Sequence, residues 1–203
     1  MDSRGDPREQ TTREVEELAR LRTIEARARY WDRLYEHHYR EILDSDDEIG
    51  RHGVIAEMLT RFAAGGVVID AGCGTGVLAD LIDRNRFRYR GIDIAPSAIE
   101  IAVSKQAPNA TFEVAALETY RGEDRADVIV LNEIAYYLPD EEVDAFVKAN
   151  LIRDGIVIFS NFDFPAGAAL SERWMRTRTM LALVNVANPA RGFMWRIGAF
   201  KSD

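Results

Sequence analysis

An acid and three glycines at alternate positions make up Asp70-Ala71-Gly72-Cys73-Gly74-Thr75-Gly76, with the apolar run Val67-Val68-Ile69 leading into them. Glycine has no Cβ, so it takes positive φ and lets a ligand lie directly against the backbone. A buried strand, such a turn and then the start of a helix form the corner at which α/β folds cradle nucleotides. A second acid, Asp93, closes Gly91-Ile92-Asp93, 21 residues beyond Gly72. A carboxylate there, at the end of the next strand, can accept hydrogen bonds from both hydroxyls of an adenosine ribose. Each acid also has a plainer role open to it, Asp70 in steadying the turn and Asp93 in capping a strand end.

Spacing separates the ligands such a corner could hold. The dinucleotide fingerprint is G-x-G-x-x-G, whereas the third glycine here comes one residue early. No Tyr-x-x-x-Lys pair is present to support NAD-dependent oxidoreduction, which stays as the weaker alternative.

Elements that could position this corner are legible on both sides of it. Residues 1 to about 11 are polar, hold Gly5 and Pro7, and read as disordered. From Thr12 to Leu43 the apolar residues fall at helical spacing, giving one long amphipathic helix or two shorter ones. The second half of that stretch is aromatic (Tyr30, Trp31, Tyr35, Tyr39), either a packing stripe or a cap over the ligand. A helix is expected over Gly50–Phe62 and another from Gly76 to Asn85. Strands are expected at Arg88–Asp93, Thr111–Val114, Asp127–Asn132 and Gly155–Ser160. Ser97 and Glu100 have the spacing of a helix capping box. Helices follow at Asp140–Asn150 and Leu170–Leu181, then two tail strands, Ala182–Ala187 and Gly192–Phe200. The alternation predicts a doubly wound, Rossmann-like α/β sheet, mostly parallel with an antiparallel C-terminal strand. Residues 1–48 would form an N-terminal helical extension and residues 49–203 the core.

Composition narrows the partners. With 203 residues, 47% of them hydrophobic and 30% charged, the chain can bury a sizeable core. A formal net charge of −8 disfavours nucleic acid and anionic membrane, which call for a basic surface. Cys73 is the only cysteine, no apolar run is long enough to span a bilayer, and the N-terminus lacks an apolar signal core. A cytoplasmic protein is the expectation, with a homodimer left open. Three histidines and one cysteine, scattered, give no metal-ligand spacing, so no metal is expected.

On these motifs the sequence resembles the class I S-adenosylmethionine-dependent methyltransferases. The matching pieces are Val68 to Gly76, Gly91-Ile92-Asp93 with Ser97 after it, Ala115-Ala116-Leu117, and Asp127 to Glu133. They cover residues 50 to 160 well and the tail loosely. Asn132 to Leu138 looks most like the small-molecule enzymes, among them nodulation-type N-methyltransferases. The resemblance implies that Asp70 and the backbone of Gly72, Cys73, Gly74 and Gly76 hold the methionine end of S-adenosylmethionine. It implies Asp93 at the ribose, Ile94 on the adenine, Ala116 and Leu117 at its edge, Ser97 nearby, and Asn132 and Glu133 near the sulfur. The implied activity is transfer of a methyl group to an N or O atom of a small molecule by direct displacement. A non-catalytic partner or regulator that binds the same cofactor is the alternative; its mark would be a damaged glycine corner or ribose acid, and neither is seen.

Displacement from a sulfonium releases a neutral thioether, so alignment supplies most of the catalysis, for which models allow roughly 7–11 kcal/mol. A base is needed only where the acceptor must lose a proton. Glu133, Tyr137 and His38 are the candidates for that work, with Tyr136 and His37 beside them. His52 has no motif behind it. Trp174, Arg173, Arg176 and Arg178 form either a pocket for an anionic acceptor or a solvated basic helix face.

Overall fold

The order of elements follows from alternation in the apolar runs. In the computed structural model, which describes residues 6–36, 46–188 and 192–202, β1 (Gly66–Ala71) and β4 (Ala126–Asn132) lie side by side at the centre of a seven-stranded sheet. The other strands are β2 (Phe87–Asp93), β3 (Ala110–Val114), β5 (Leu151–Phe162), β6 (Thr179–Asn188) and β7 (Phe193–Lys201), in the order β3-β2-β1-β4-β5-β7-β6. β1 to β5 are mutually parallel, and β7 runs antiparallel between β5 and β6. That is the expected sheet, with the antiparallel strand inserted one place in from the edge.

Successive strand residues face opposite sides, and in the central strands β1 and β4 both sides are buried. Val68, Val128 and Val130 pack with Ile55, Met58 and Leu59 of α3 (Asp46–Phe62) and with Leu78 of α4 (Val77–Leu81). Val67, Ile69, Ile129 and Leu131 pack on the other face with Phe146 of α6 (Asp140–Asn150) and Trp174 of α7 (Pro165–Thr177). Truncating Ile69, Ile129 or Leu131 to Ala should cost about 2–5 kcal/mol, because the close-packed layers around it collapse only partly into the cavity.

The extension forms two helices, α1 (Pro7–Arg20) and α2 (Ile24–Leu34). Residues 7–11, expected to be disordered, are helical because Asp6 accepts from the Arg8 N–H and Pro7 opens the first turn. Leu18, Trp31 and Tyr35 pack against Ala95 and Ala98, where α5 (Pro96–Ser104) begins. The capping box does not form. Ala95 is the N-cap, while the Ser97 N–H and hydroxyl both donate to Asp32 of α2, at 2.8 and 3.2 Å. α4 is also shorter than expected, ending at Leu81 rather than Asn85.

Candidate active site

The glycine corner has the backbone its residues call for. Gly72, Gly74 and Gly76 take φ of +72°, +52° and +75°. A Cβ on Gly72 would come within 3.0 Å of Ile134, and one on Gly76 within 2.8 Å of the Phe112 ring. The Gly72 and Cys73 N–H groups donate to the Ile92 carbonyl at 2.8 and 3.0 Å. The Gly74 N–H donates to Asp93 Oδ2 at 2.9 Å, and the Ala95 N–H to Asp93 Oδ1 at 2.9 Å. Asp93 thus ties the turn to the end of β2. Each of its oxygens keeps a lone pair for a further donor. Burial pushes its carboxyl up to about 6, against the pull of the backbone donors.

Asp70 lies deeper, 1% exposed, and accepts from the Tyr89 hydroxyl. Its Oδ1 is buried with no hydrogen-bond partner, and burial pushes the carboxyl up to about 7. Cys73 is buried inside the turn, and that burial raises its thiol, so thiolate chemistry is suppressed there.

The corner opens into a cleft of about 230 Å³ at the carboxyl ends of β1, β2 and β4. One side is apolar, with Ile94, Ala116 and Leu117. At another side, α3 and the end of β4 close a polar ring. Arg51, 2% exposed, donates to the Glu48 carboxylate and to Asn132 Oδ1, and its guanidinium lies over the Trp195 ring at 5.4 Å. Asn132 Nδ2 meets His52 Nε2 at 3.0 Å, and His52 Nδ1 meets the Glu48 carbonyl at 3.0 Å. One tautomer satisfies both contacts: Nδ1–H donates to the carbonyl and Nε2 accepts from the amide. Burial and the adjacent Arg51 push His52 down to about 3, so it is neutral. Arg51 Nε is buried without a partner.

Glu133 follows β4 in the left-handed region, at φ +58°, which a residue with a side chain adopts only when held there. Its N–H donates to the Ser160 carbonyl at 3.0 Å. Oε1 accepts from the Ser160 hydroxyl at 2.9 Å, and Oε2 from the Tyr136 hydroxyl at 2.7 Å and the Phe162 N–H at 3.1 Å. Burial pushes Glu133 up to about 7 despite these donors and Arg51 nearby. Tyr137 donates to Glu14 of α1 at 3.3 Å and meets Trp31 of α2 edge-on, ring centres 5.0 Å apart. Arg27 of α2 pairs with Glu118, and Arg8 of α1 donates to the Asp163 carbonyl at 3.0 Å. α1 and α2 therefore form one wall of the cleft.

A model of the methyltransferase domain matches residues 35–191. The chain belongs to the methyltransferase family. Among curated relatives, it is 30% identical over 102 residues to the ubiquinone biosynthesis O-methyltransferase of Albidiferax ferrireducens, a match covering 47% of this chain and 40% of that protein. It is 33% identical over 105 residues to that of Neisseria meningitidis serogroup C, covering 47% and 44%. The matches thus span less than half the length of these relatives. Among solved structures, the N-methyltransferase NodS of Bradyrhizobium japonicum WM9, in complex with S-adenosyl-L-homocysteine, superposes with a TM-score of 0.67 at 19% identity, covering 86% of this chain and 97% of that one. The 1,6-didemethyltoxoflavin-N1-methyltransferase of Burkholderia thailandensis superposes with a TM-score of 0.68 at 16% identity, covering 100% and 93%. These likenesses carry the fold.

Within this methyltransferase, Gly72, Cys73, Gly74, Asp93, Ile94, Ala116, Leu117, Asn132, Glu133 and Tyr137 all border the cleft. Three of the expected cofactor residues do not. Asp70 sits behind the turn against Tyr89, Gly76 caps α4 against Phe112, and Ser97 is engaged with α2. His38 and His37 lie outside the described residues. The basic residues near Trp174 are engaged with neighbouring acids: Arg173 and Arg178 pair with Asp144, Arg176 with Glu172, Arg178 covers the Trp174 ring at 4.3 Å, and Trp174 is buried. Sequence reasoning missed Arg51, Glu48, His52 and Glu14. Only their positions on amphipathic helices could have hinted at them, and helical periodicity does not say which polar residue turns inward.

A zwitterionic, nucleoside-bearing cofactor fits these residues. Asp93 offers lone pairs at the cleft, and Arg51, which also lines it, has a buried Nε donor with no partner. Among the described residues no group of three or more His, Cys, Asp or Glu could hold a metal ion, and no helix is long and apolar enough to cross a membrane.

Proposed function

We propose that the protein is an S-adenosylmethionine-dependent methyltransferase acting on an N or O atom of a small molecule. The observation that carries this is the conjunction of the Gly72–Thr75 backbone, Asp93 and the apolar side of Ile94, Ala116 and Leu117 in one cleft. Asp93 would take the ribose hydroxyls, the apolar side the adenine, and Arg51 the methionine carboxylate. The turn amides of Gly72, Cys73, Gly74 and Gly76 are spent within the fold, which leaves Arg51 as the better donor for that carboxylate. When bound, the cofactor supplies a methyl group on a sulfonium, open to direct displacement.

The chain's own residues then align and dry the acceptor. Trp31, Tyr136 and Tyr137 wall the cleft, and α1 and α2 shield it from water, so the developing charge is felt in a medium of low dielectric. Neutral His52 is spoken for at both nitrogens and cannot serve as a base. Glu133 reaches the cleft through the Tyr136 hydroxyl, which makes the pair the proton acceptor where the substrate must lose a proton. Relatives named for O-methylation and similar folds named for N-methylation support either atom. Absence of a spanning helix among the described residues and a single buried cysteine support a cytoplasmic setting.

The test is transfer of a labelled methyl group to a library of small N- and O-nucleophiles. Cofactor binding with no transfer to any of them would favour the non-catalytic binding protein.

A further inference from the structure

α5 starts without a side-chain cap of its own. Ala95 stands at its N-cap position and has no side-chain oxygen to accept from the first-turn N–H groups. The acceptor comes instead from α2, 65 residues earlier in the chain. Asp32 Oδ1 accepts the Ser97 N–H at 2.8 Å, and the Asp32 carbonyl accepts the Ser97 hydroxyl at 3.2 Å. The carboxylate thus lies at the positive end of the helix dipole. A second tie sits further back on α2, where Arg27 pairs with Glu118, the residue after Leu117. α2 therefore holds two separate loops. One joins β2 to α5 and carries Ile94 after Asp93; the other follows β3 and carries Ala116 and Leu117. All four of these residues border the adenosine side of the cleft. Trp31, between the two ties, packs with Ala95 and Ala98, and Ile94 packs against the same cluster.

We propose that Asp32 is a positioning residue: by capping α5 from α2 it latches α2 across the two adenosine-side loops and sets how fast the cofactor leaves. The proposal rests on the methyltransferase reading and adds to it a residue that never meets the cofactor. Neither Asp32 nor Ser97 lines the cleft, so any effect of Asp32 on the ligand is carried by the position of α2.

Trp31 and Tyr35 of α2 and its C-cap wall the cleft, and a cofactor behind them leaves when α2 lifts. Lifting α2 breaks both Ser97 contacts and strips α5 of its cap, so every opening carries that cost. Without the Asp32 carboxylate the cost is absent, and the open fraction rises by what an N-cap contributes, roughly five- to tenfold. Asn caps a helix about as well as Asp does, so Asp32→Asn keeps the latch.

The test follows release of labelled S-adenosylhomocysteine from the intact chain after unlabelled compound is added in excess. Asp32→Ala is expected to release it about five- to tenfold faster than the wild type, and Asp32→Asn to stay within about twofold of the wild type. Val147→Ala, in α6 and away from the cleft lining, controls for a general loss of stability and should leave the rate unaltered. Wild-type release from a folded Asp32→Ala overturns the proposal, as does an equal acceleration in Asp32→Asn or in Val147→Ala. If Asp32→Ala does not fold, hydrogen exchange of the wild-type chain decides. S-adenosylhomocysteine should slow exchange of the Ser97 amide and of the amides inside α2 by a common factor, because they open as one unit. Slowing of one without the other overturns the proposal. All of these results leave the cofactor assignment standing, whereas failure of S-adenosylhomocysteine to bind the wild-type chain overturns both.

Discussion

Asp93→Ala separates what this carboxylate does for the fold from what it would do for a ligand. The substitution leaves the Gly74 and Ala95 N–H groups without the acceptor each has at 2.9 Å. An unsatisfied buried donor costs about 1–3 kcal/mol, so the two together cost about 2–6 kcal/mol. A second effect works the other way. Burial raises Asp93 from 3.8 to about 6, so at pH 7 its ionised form carries a penalty of about 3 kcal/mol, at 1.36 kcal/mol for each pH unit. Removing the carboxylate removes that penalty. The net loss of stability should then be at most about 3 kcal/mol, small enough for the variant to stay folded. Cofactor affinity has no such offset: losing hydrogen bonds to a charged group should weaken it by about 1.5–3 kcal/mol, roughly ten- to a hundredfold. Urea denaturation and calorimetry with S-adenosylhomocysteine read the two quantities apart. Wild-type affinity in a folded Asp93→Ala would show that Asp93 serves the turn alone.

Glu133 and Asp70 are both raised to about 7 in the folded chain, so the folded state holds their protons longer than the unfolded one. Each therefore contributes stability at low pH that is lost as pH rises to about 7, and Glu133→Gln should flatten that part of the stability–pH curve; an unchanged slope would contradict it. His52 has the opposite sign, since a lowered pKa makes stability rise with pH between about 3 and 6.5. Its imidazole resonances should show the neutral Nδ1–H form throughout pH 5 to 8, and a midpoint near 6.5 would break the Glu48–His52–Asn132 contacts described above. Gly76→Ala puts a Cβ 2.8 Å from Phe112 at φ +75°, so it should cost at least about 1–2 kcal/mol and lower Tm by several degrees. A wild-type melting curve would mean the turn tolerates a side chain.

What could be read in the sequence is what short-range constraint specifies. The glycine corner is legible because positive φ at alternate positions leaves few residue choices, and Asp93 because it ends the neighbouring strand. An unbroken apolar run places β4 to within a residue, and a clear helical period places α6. β5 begins at Leu151, ahead of the expected Gly155, because the strand continues through Arg153-Asp154-Gly155, with Asp154 at φ +63° and a register shift against β4. Ser97 misled because its capping spacing was genuine, yet Asp32, 65 residues earlier, claims it. The ring of Glu48, Arg51, His52 and Asn132 was invisible for a related reason. The two contacts that close it, Arg51 and His52 to Asn132, join residues about 80 positions apart, and nothing local distinguishes Arg51 from the solvated arginines around it.

The most direct measurement is calorimetry of the intact chain with S-adenosylmethionine, S-adenosylhomocysteine and NAD in separate titrations. The account predicts one binding site for each sulfur compound and none for NAD. Binding of NAD with neither sulfur compound would contradict it.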